Sequence, residues 1–147
     1  MPNPDGVHFG GDSNHFFSFN MGPAHIISIS TEFYYFLEYG FNQLAIQYDW
    51  LVRDLTEANK PENRAARPWI VLMGHRPMYC SNTYINDSGE KVHDCEFDDR
   101  VRVGLPYVNK FGLEDLLFDH GVDCNLKPVF YLLADDVNLI LCFLFKL

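Results

Sequence analysis

Basic residues are scarce in this chain: eleven Lys and Arg stand against twenty Asp and Glu, a formal net charge of −9. A binder that tracks nucleic-acid phosphates needs a cationic face, so that class is excluded. Cysteine is also sparse, with four in 147 residues, which rules out a disulfide-dense mini-scaffold. No uninterrupted apolar run approaches the ~20 residues of a membrane-spanning helix. The opening Met1-Pro-Asn-Pro-Asp-Gly6 is polar and turn-forming, without the basic start and apolar centre of a secretory leader, and none is expected in this chain. Apolar residues are plentiful at 48%, and aromatics reach 16% through 13 Phe, 8 Tyr and 2 Trp. That is too apolar for disorder and enough for the core of one domain.

Turn chemistry dominates residues 1–15, where Pro2, Pro4, Gly6, Gly10 and Gly11 punctuate a loop. Phe16–Asn20 then reads as a short strand, Met21-Gly22-Pro23 as a turn, and Ala24–Ser30 as a second, β-branched strand, together a hairpin. A helix is predicted from about Asn42 to Ala58, because Leu44, Tyr48, Leu51 and Leu55 recur at helical spacing. Its wet side is expected to carry Gln43, Gln47, Arg53, Asp54 and Glu57. Asn59–Arg67 is polar, contains Pro61, and reads as a surface loop. Trp69–Met73 is continuously apolar and suits a strand buried on both faces. Residues 80–110 read as a long polar excursion. Leu113–His120 is a second predicted helix, with Gly121 as its left-handed cap, and Val122-Asp123-Cys124 leads into the next strand. Strands alternating with helices predict an α/β layered domain.

The most informative stretch is Arg67-Pro-Trp-Ile-Val-Leu-Met-Gly-His-Arg-Pro-Met-Tyr-Cys-Ser-Asn82, a buried strand delivering His75 at its C-terminal end, where α/β sheets build their sites. This block resembles the His-bearing motif of the purple acid phosphatases, dinuclear metallophosphoesterases, and of their animal branch in particular. Phe17-Ser-Phe-Asn-Met-Gly-Pro-Ala-His25 with Ile29-Ser-Thr-Glu32 is similar to the family's strand pair. So are the helix bearing Trp50, Asp54 and Leu55, and Gly112-Leu-Glu-Asp-Leu116 leading to Gly121-Val-Asp123, in order and spacing. The similarity runs from about residue 6 to residue 124. It implies a part of the four-layer αββα metallophosphoesterase sandwich over residues 1–124, with residues 125–147 as a divergent apolar tail. It also implies hydrolysis of phosphate monoesters by two metal ions that hold the phosphate and acidify a bound water. Those metals are iron with zinc, a second iron or manganese, and the family's compartment is secreted or lysosomal.

Carried over residue by residue, the resemblance makes His75 a metal ligand. Arg76 and Tyr79 follow it on the same loop and are expected to line the phosphate entrance. Cys80 and Cys95 match similarly placed cysteines of animal members. Bridging them would close a loop of about fifteen residues, worth about 3 kcal/mol in the chain-entropy model, and reduced thiols remain the alternative. The family's Asp-x-Gly, Gly-Asp-x-x-Tyr and Gly-Asn-His ligand blocks have no counterpart here, nor does its closing His-x-His, since the last histidine is His120. Gly11-Asp-Ser-Asn-His15 only imitates such a block and reads as a turn. One ligand cannot assemble a dinuclear centre. The expectation is therefore a truncated phosphatase domain that is inactive alone and holds no stable metal. The alternative is a non-catalytic binding module, or a non-functional fragment from a gene-model error or alternative transcript. For Val129–Leu147 a core strand, a membrane-associating tail and translated non-coding sequence stay open, the last preferred because it begins where the resemblance stops.

Overall fold

The computed structural model describes residues 8–9, 14–39, 41–76, 78–79, 83–93, 98–106, 108, 110–128 and 140–144. In chain order the elements are β1 (His8–Phe9), β2 (Phe17–Met21), β3 (Ala24–Ile29), α1 (Phe41–Ala58), α2 (Pro61–Ala66), β4 (Trp69–Gly74), β5 (Thr83–Ile85), β6 (Lys91–His93), α3 (Asp98–Arg102), β7 (Gly104–Leu105), β8 (Lys110–Phe111), α4 (Glu114–Asp119), β9 (Cys124–Pro128) and β10 (Ile140–Leu144). Two short 3-10 turns, Thr31–Tyr34 and Leu37–Tyr39, connect β3 to α1.

One six-stranded sheet runs β1-β2-β3-β4-β9-β10. The predicted hairpin forms, β2 and β3 pairing antiparallel from Phe17↔Ser28 to Met21↔Ala24. β3, β4 and β9 are mutually parallel neighbours. Parallel strands need long crossovers, and α1 and α4 lie in the two that are required here.

Side-chain alternation divides the sheet into two unlike faces. Ser18, His25, Ile27, Ile29, Ile70 and Leu72 point to the helical side and are buried. The apolar members of that set join Leu44, Leu51 and Leu55 of α1 and Leu116 and Leu117 of α4 in one core. The opposite face is a grid of three cross-strand rows: Met21, Ala24 and Trp69; Phe19, Ile26 and Val71; Phe17, Ser28 and Met73. None of these nine belongs to the core beneath α1, and Met21 and Trp69 are 62% and 53% exposed. β4 is thus buried on one face and half-open on the other, not buried on both as its unbroken apolar run suggests. Of the four layers that the resemblance implies, the described residues build this sheet and a helical layer on one side.

Local chemistry accounts for the helix ends. Asn59 closes α1 by donating its side-chain amide to Leu55 O at 2.9 Å and to His120 O at 2.7 Å. Lys60 then takes the extended backbone that a following proline requires, and Pro61 opens α2 at its first turn. The expected surface loop over residues 59–67 therefore contains a helix, because a proline that ends one helix is well placed to start another. α4 ends at Gly121, whose φ of +58° supplies the expected left-handed cap, with Val122 N donating to Leu117 O at 3.0 Å.

The polar excursion at 80–110 is also built: β5 and β6 form one antiparallel ribbon, and α3 leads into a second ribbon of β7 and β8. Of the tail, β10 pairs antiparallel with β9 from Ile140↔Pro128 to Leu144↔Cys124. No described helix is long and apolar enough to cross a membrane.

Candidate functional site

β3 and β4 end side by side, with Ile29 in register with Gly74, so the loops that follow them meet. Thr31 and Glu32 come from the turn after β3, and His75 and Arg76 from the end of β4. A Cβ on Gly74 would stand 2.8 Å from Thr31 Cγ2, so glycine permits this close approach. The backbone N–H of Arg76 donates to Thr31 Oγ1 and locks the two loops together.

Arg76 grips Glu32 with two donors, Nε to Oε1 at 2.9 Å and Nη2 to Oε2 at 3.3 Å. Its guanidinium carbon lies 4.7 Å from the centre of the Tyr35 ring, within cation–π range. His75 has a side chain 61% exposed, with Nε2 3.7 Å from Glu32 Oε1, beyond hydrogen-bond reach. The structure thus bonds Arg76 to the Glu32 carboxylate and brings His75 close to the same group without a hydrogen bond. Glu32 is the site residue that sequence reasoning missed, although parallel pairing of the two strands preceding it and His75 was its signal.

Tyr79 is placed differently. Its hydroxyl donates to Glu114, and Glu114 Oε2 also accepts from Arg102 Nη1 at 3.1 Å. Burial first, and the Glu114 carboxylate second, push the Tyr79 phenol up to about 12. Cys80 and Cys95 lie outside the described residues. Asn14 and His15 sit in a turn, as expected, and the His15 ring meets Phe33 edge-on at 5.7 Å.

Two residues assigned to the wet side of α1 are instead interior. Gln47 is 1% exposed; its amide accepts from Ser30 N at 2.8 Å and donates to Ser30 O at 3.1 Å, completing the backbone where β3 stops. Asp54 accepts from Ser18 Oγ at 2.7 Å through Oδ1 and lies 2.9 Å from His25 Nε2 through Oδ2. Asn20 Oδ1 meets His25 Nδ1 at 2.8 Å. Buried polar groups require partners, and these come from distant strands that helical periodicity does not see.

The donor set around His75 does not fit a dinuclear cluster. Among the described residues it offers one imidazole and one carboxylate, and Arg76 occupies both oxygens of that carboxylate. Among the described residues, no three His, Cys, Asp or Glu side chains converge to hold a metal ion.

A parallel β3–α1–β4 unit with a histidine and a carboxylate at its strand ends defines the class: an α/β domain whose site loops leave the C-terminal edge of the sheet. No protein-family model matches the chain. Against acid phosphatase type 7 of Danio rerio it is 54% identical over 113 residues, covering 75% of this chain and 24% of that protein. Acid phosphatase type 7 of Homo sapiens is 51% identical over 110 residues, covering 75% and 23%. Purple acid phosphatase 23 of Arabidopsis thaliana is 29% identical over 138 residues, covering 88% and 27%. The chain belongs to the purple acid phosphatases, as the sequence motifs implied. It spans about a quarter of the length of these curated relatives.

Proposed function

We propose that this chain carries the β4–His75 portion of a purple acid phosphatase-type hydrolase of phosphate monoesters, and that as a 147-residue polypeptide it does not turn such esters over. The observation that carries this reading is the exposed imidazole of His75, which among the described residues has one carboxylate nearby, itself already held by Arg76. In the family a metal pair, proposed here as iron with zinc or a second iron or manganese, supplies the Lewis acid and the activated water. The chain's own contribution is positional: Gly74 and Thr31 fix the loop that presents His75. Arg76 serves Glu32, and Tyr79 serves Glu114, so the reading of these two as a phosphate entrance requires them to leave those partners.

The test is incubation of the purified chain with iron, zinc and an aryl phosphate at acidic pH, with bound metal counted afterwards. A rate at the blank level and fewer than two retained cations are expected. Turnover above the blank, or two retained cations, refutes the inactive reading. Turnover that survives His75→Ala removes that residue from the site.

A second reading is favoured by the continuous core from Phe16 to Val122: a folded module that keeps the scaffold and binds without chemistry. A single cooperative thermal transition supports it, and a gradual loss of signal opposes it.

A further inference from the structure

The opposite end of the sheet holds a cavity unconnected with His75. His25 pairs with Ile70, second residue of β4, whereas His75 follows the last residue of that strand; five residues of strand place the two about 16 Å apart. The cavity, of about 540 Å³, lies between the hairpin, the C-terminal half of α1, and α2. Trp50, Arg53, Asp54 and Glu57 of α1 line it at i, i+3, i+4 and i+7, and Arg67 closes it from the β4 side.

The charges facing this space are unequally satisfied. Both oxygens of Asp54 are taken, by Ser18 and His25. Both oxygens of Glu57 are taken too: Oε2 lies 2.6 Å from Lys60 Nζ, and Oε1 accepts from Asn63 at 3.1 Å. Lys60 chiefly holds that carboxyl below its ordinary range. The guanidinium groups of Arg53 and Arg67, by contrast, have no hydrogen-bond or ion-pair partner among the described residues. In a chain of net charge −9, two cations without a partner among the described residues therefore share one cavity whose carboxylate oxygens are already engaged, those of Asp54 by hydrogen bonds and those of Glu57 by Lys60 and Asn63. Planar guanidinium forks match tetrahedral oxyanions and hold them with paired, charge-assisted bonds.

We propose that this cavity is a phosphate-group binding site, with Arg53 and Arg67 as its anion-recognising residues. The inference is independent of the reading of His75. Trp50, 8% exposed, forms an apolar wall of the cavity, so the phosphate can arrive free or attached to a small organic group.

The test is calorimetric titration of the 147-residue chain with inorganic phosphate and, separately, with phenylphosphonate, both at constant ionic strength. Saturable binding of at least one probe tighter than about 1 mM is expected. It should weaken about tenfold or more in Arg67→Gln and in Arg53→Gln, the scale of one lost charge-assisted bond, and persist in His75→Ala. Arg67→Lys, which keeps the charge without the fork, should fall between wild type and Arg67→Gln. Because neither guanidinium has a partner among the described residues, thermal melting of these variants should match wild type. Three outcomes overturn the site: no saturable binding of either probe, binding that survives the double Gln substitution, or binding that disappears in His75→Ala. Tighter binding of phenylphosphonate than of phosphate assigns the site to an organic phosphate, and the reverse assigns it to the free ion.

Discussion

The carboxylate of Asp123 joins three parts of the chain. Its Oδ2 accepts from Ile70 N at 2.9 Å and lies 3.2 Å from Arg64 Nη2, which also donates to Gly121 O at 2.6 Å. Removing Asp123 leaves the buried Ile70 N–H without its acceptor, at a cost of about 1–3 kcal/mol, and deprives the partly exposed Arg64 of its ion pair. Asp123→Ala is therefore expected to lower the urea midpoint while leaving the denaturant slope unchanged, and a midpoint equal to wild type would falsify this account. Among the described residues three tyrosines, Tyr34, Tyr48 and Tyr79, set the alkaline limit, Tyr48 being raised by burial and then by Asp115 and Asp49. Burial drives Tyr34 above its usual range while its hydroxyl donates to Phe111 O at 2.7 Å, and Tyr79 is pushed up to about 12. A raised phenol value means that the folded state keeps a proton which the unfolded chain releases. The stability linked to it is complete below about pH 10 and is lost as pH rises through that value toward 12. Urea midpoints should accordingly decline with pH across this window, and decline less in Tyr79→Phe. An identical slope in that variant counts against the Tyr79 contribution.

At the scale of elements, the junction of β4 with the turn after β3 is the most constrained. Thr31 is buried and β-branched, so it cannot swing clear of a methyl group on Gly74. Gly74→Ala should overpack the junction by about 1–3 kcal/mol and perturb the Arg76 amide, measurable as a lower melting temperature with a shifted Arg76 N–H resonance. Unchanged values of both would show that the junction has slack. The regular elements were legible because their signals are local: β2 and β3 alternate, α1 repeats Leu44, Leu51 and Leu55, and Gly121 caps α4. Helix α2 escaped, its polar residues carrying no apolar period and burying none of their side chains. Gln47 and Asp54 escaped for the opposite reason, since what buries them is hydrogen bonding to Ser30, Ser18 and His25, between 17 and 36 residues away in sequence. His75 at the strand end was readable from its motif, whereas Glu32 required knowing that two strands run parallel.

For the molecule as a whole, polarity is distributed against simple expectation. The sheet face beneath α1 contains the Ser18–Asp54–His25–Asn20 network, and across β2, β3 and β4 the opposite face is an apolar grid of nine residues of which Ser28 is the polar one. The chain's two tryptophans fall on either side of that division. Trp50, buried against Phe16 at 5.2 Å between ring centres, belongs to the helical side, and Trp69 stands 53% exposed on the grid. Ultraviolet emission from the folded chain should therefore be composite, one indole largely buried and the other largely in water. Acrylamide, a neutral quencher with no preference for the cationic cavity, should extinguish the red component more strongly than the blue; Trp69→Phe should leave the bluer, less quenched spectrum, and Trp50→Phe the converse. Equal quenching of the two variants would mean that the indoles share one environment. If they differ, a spectrometer can follow either side of the sheet without any attached dye.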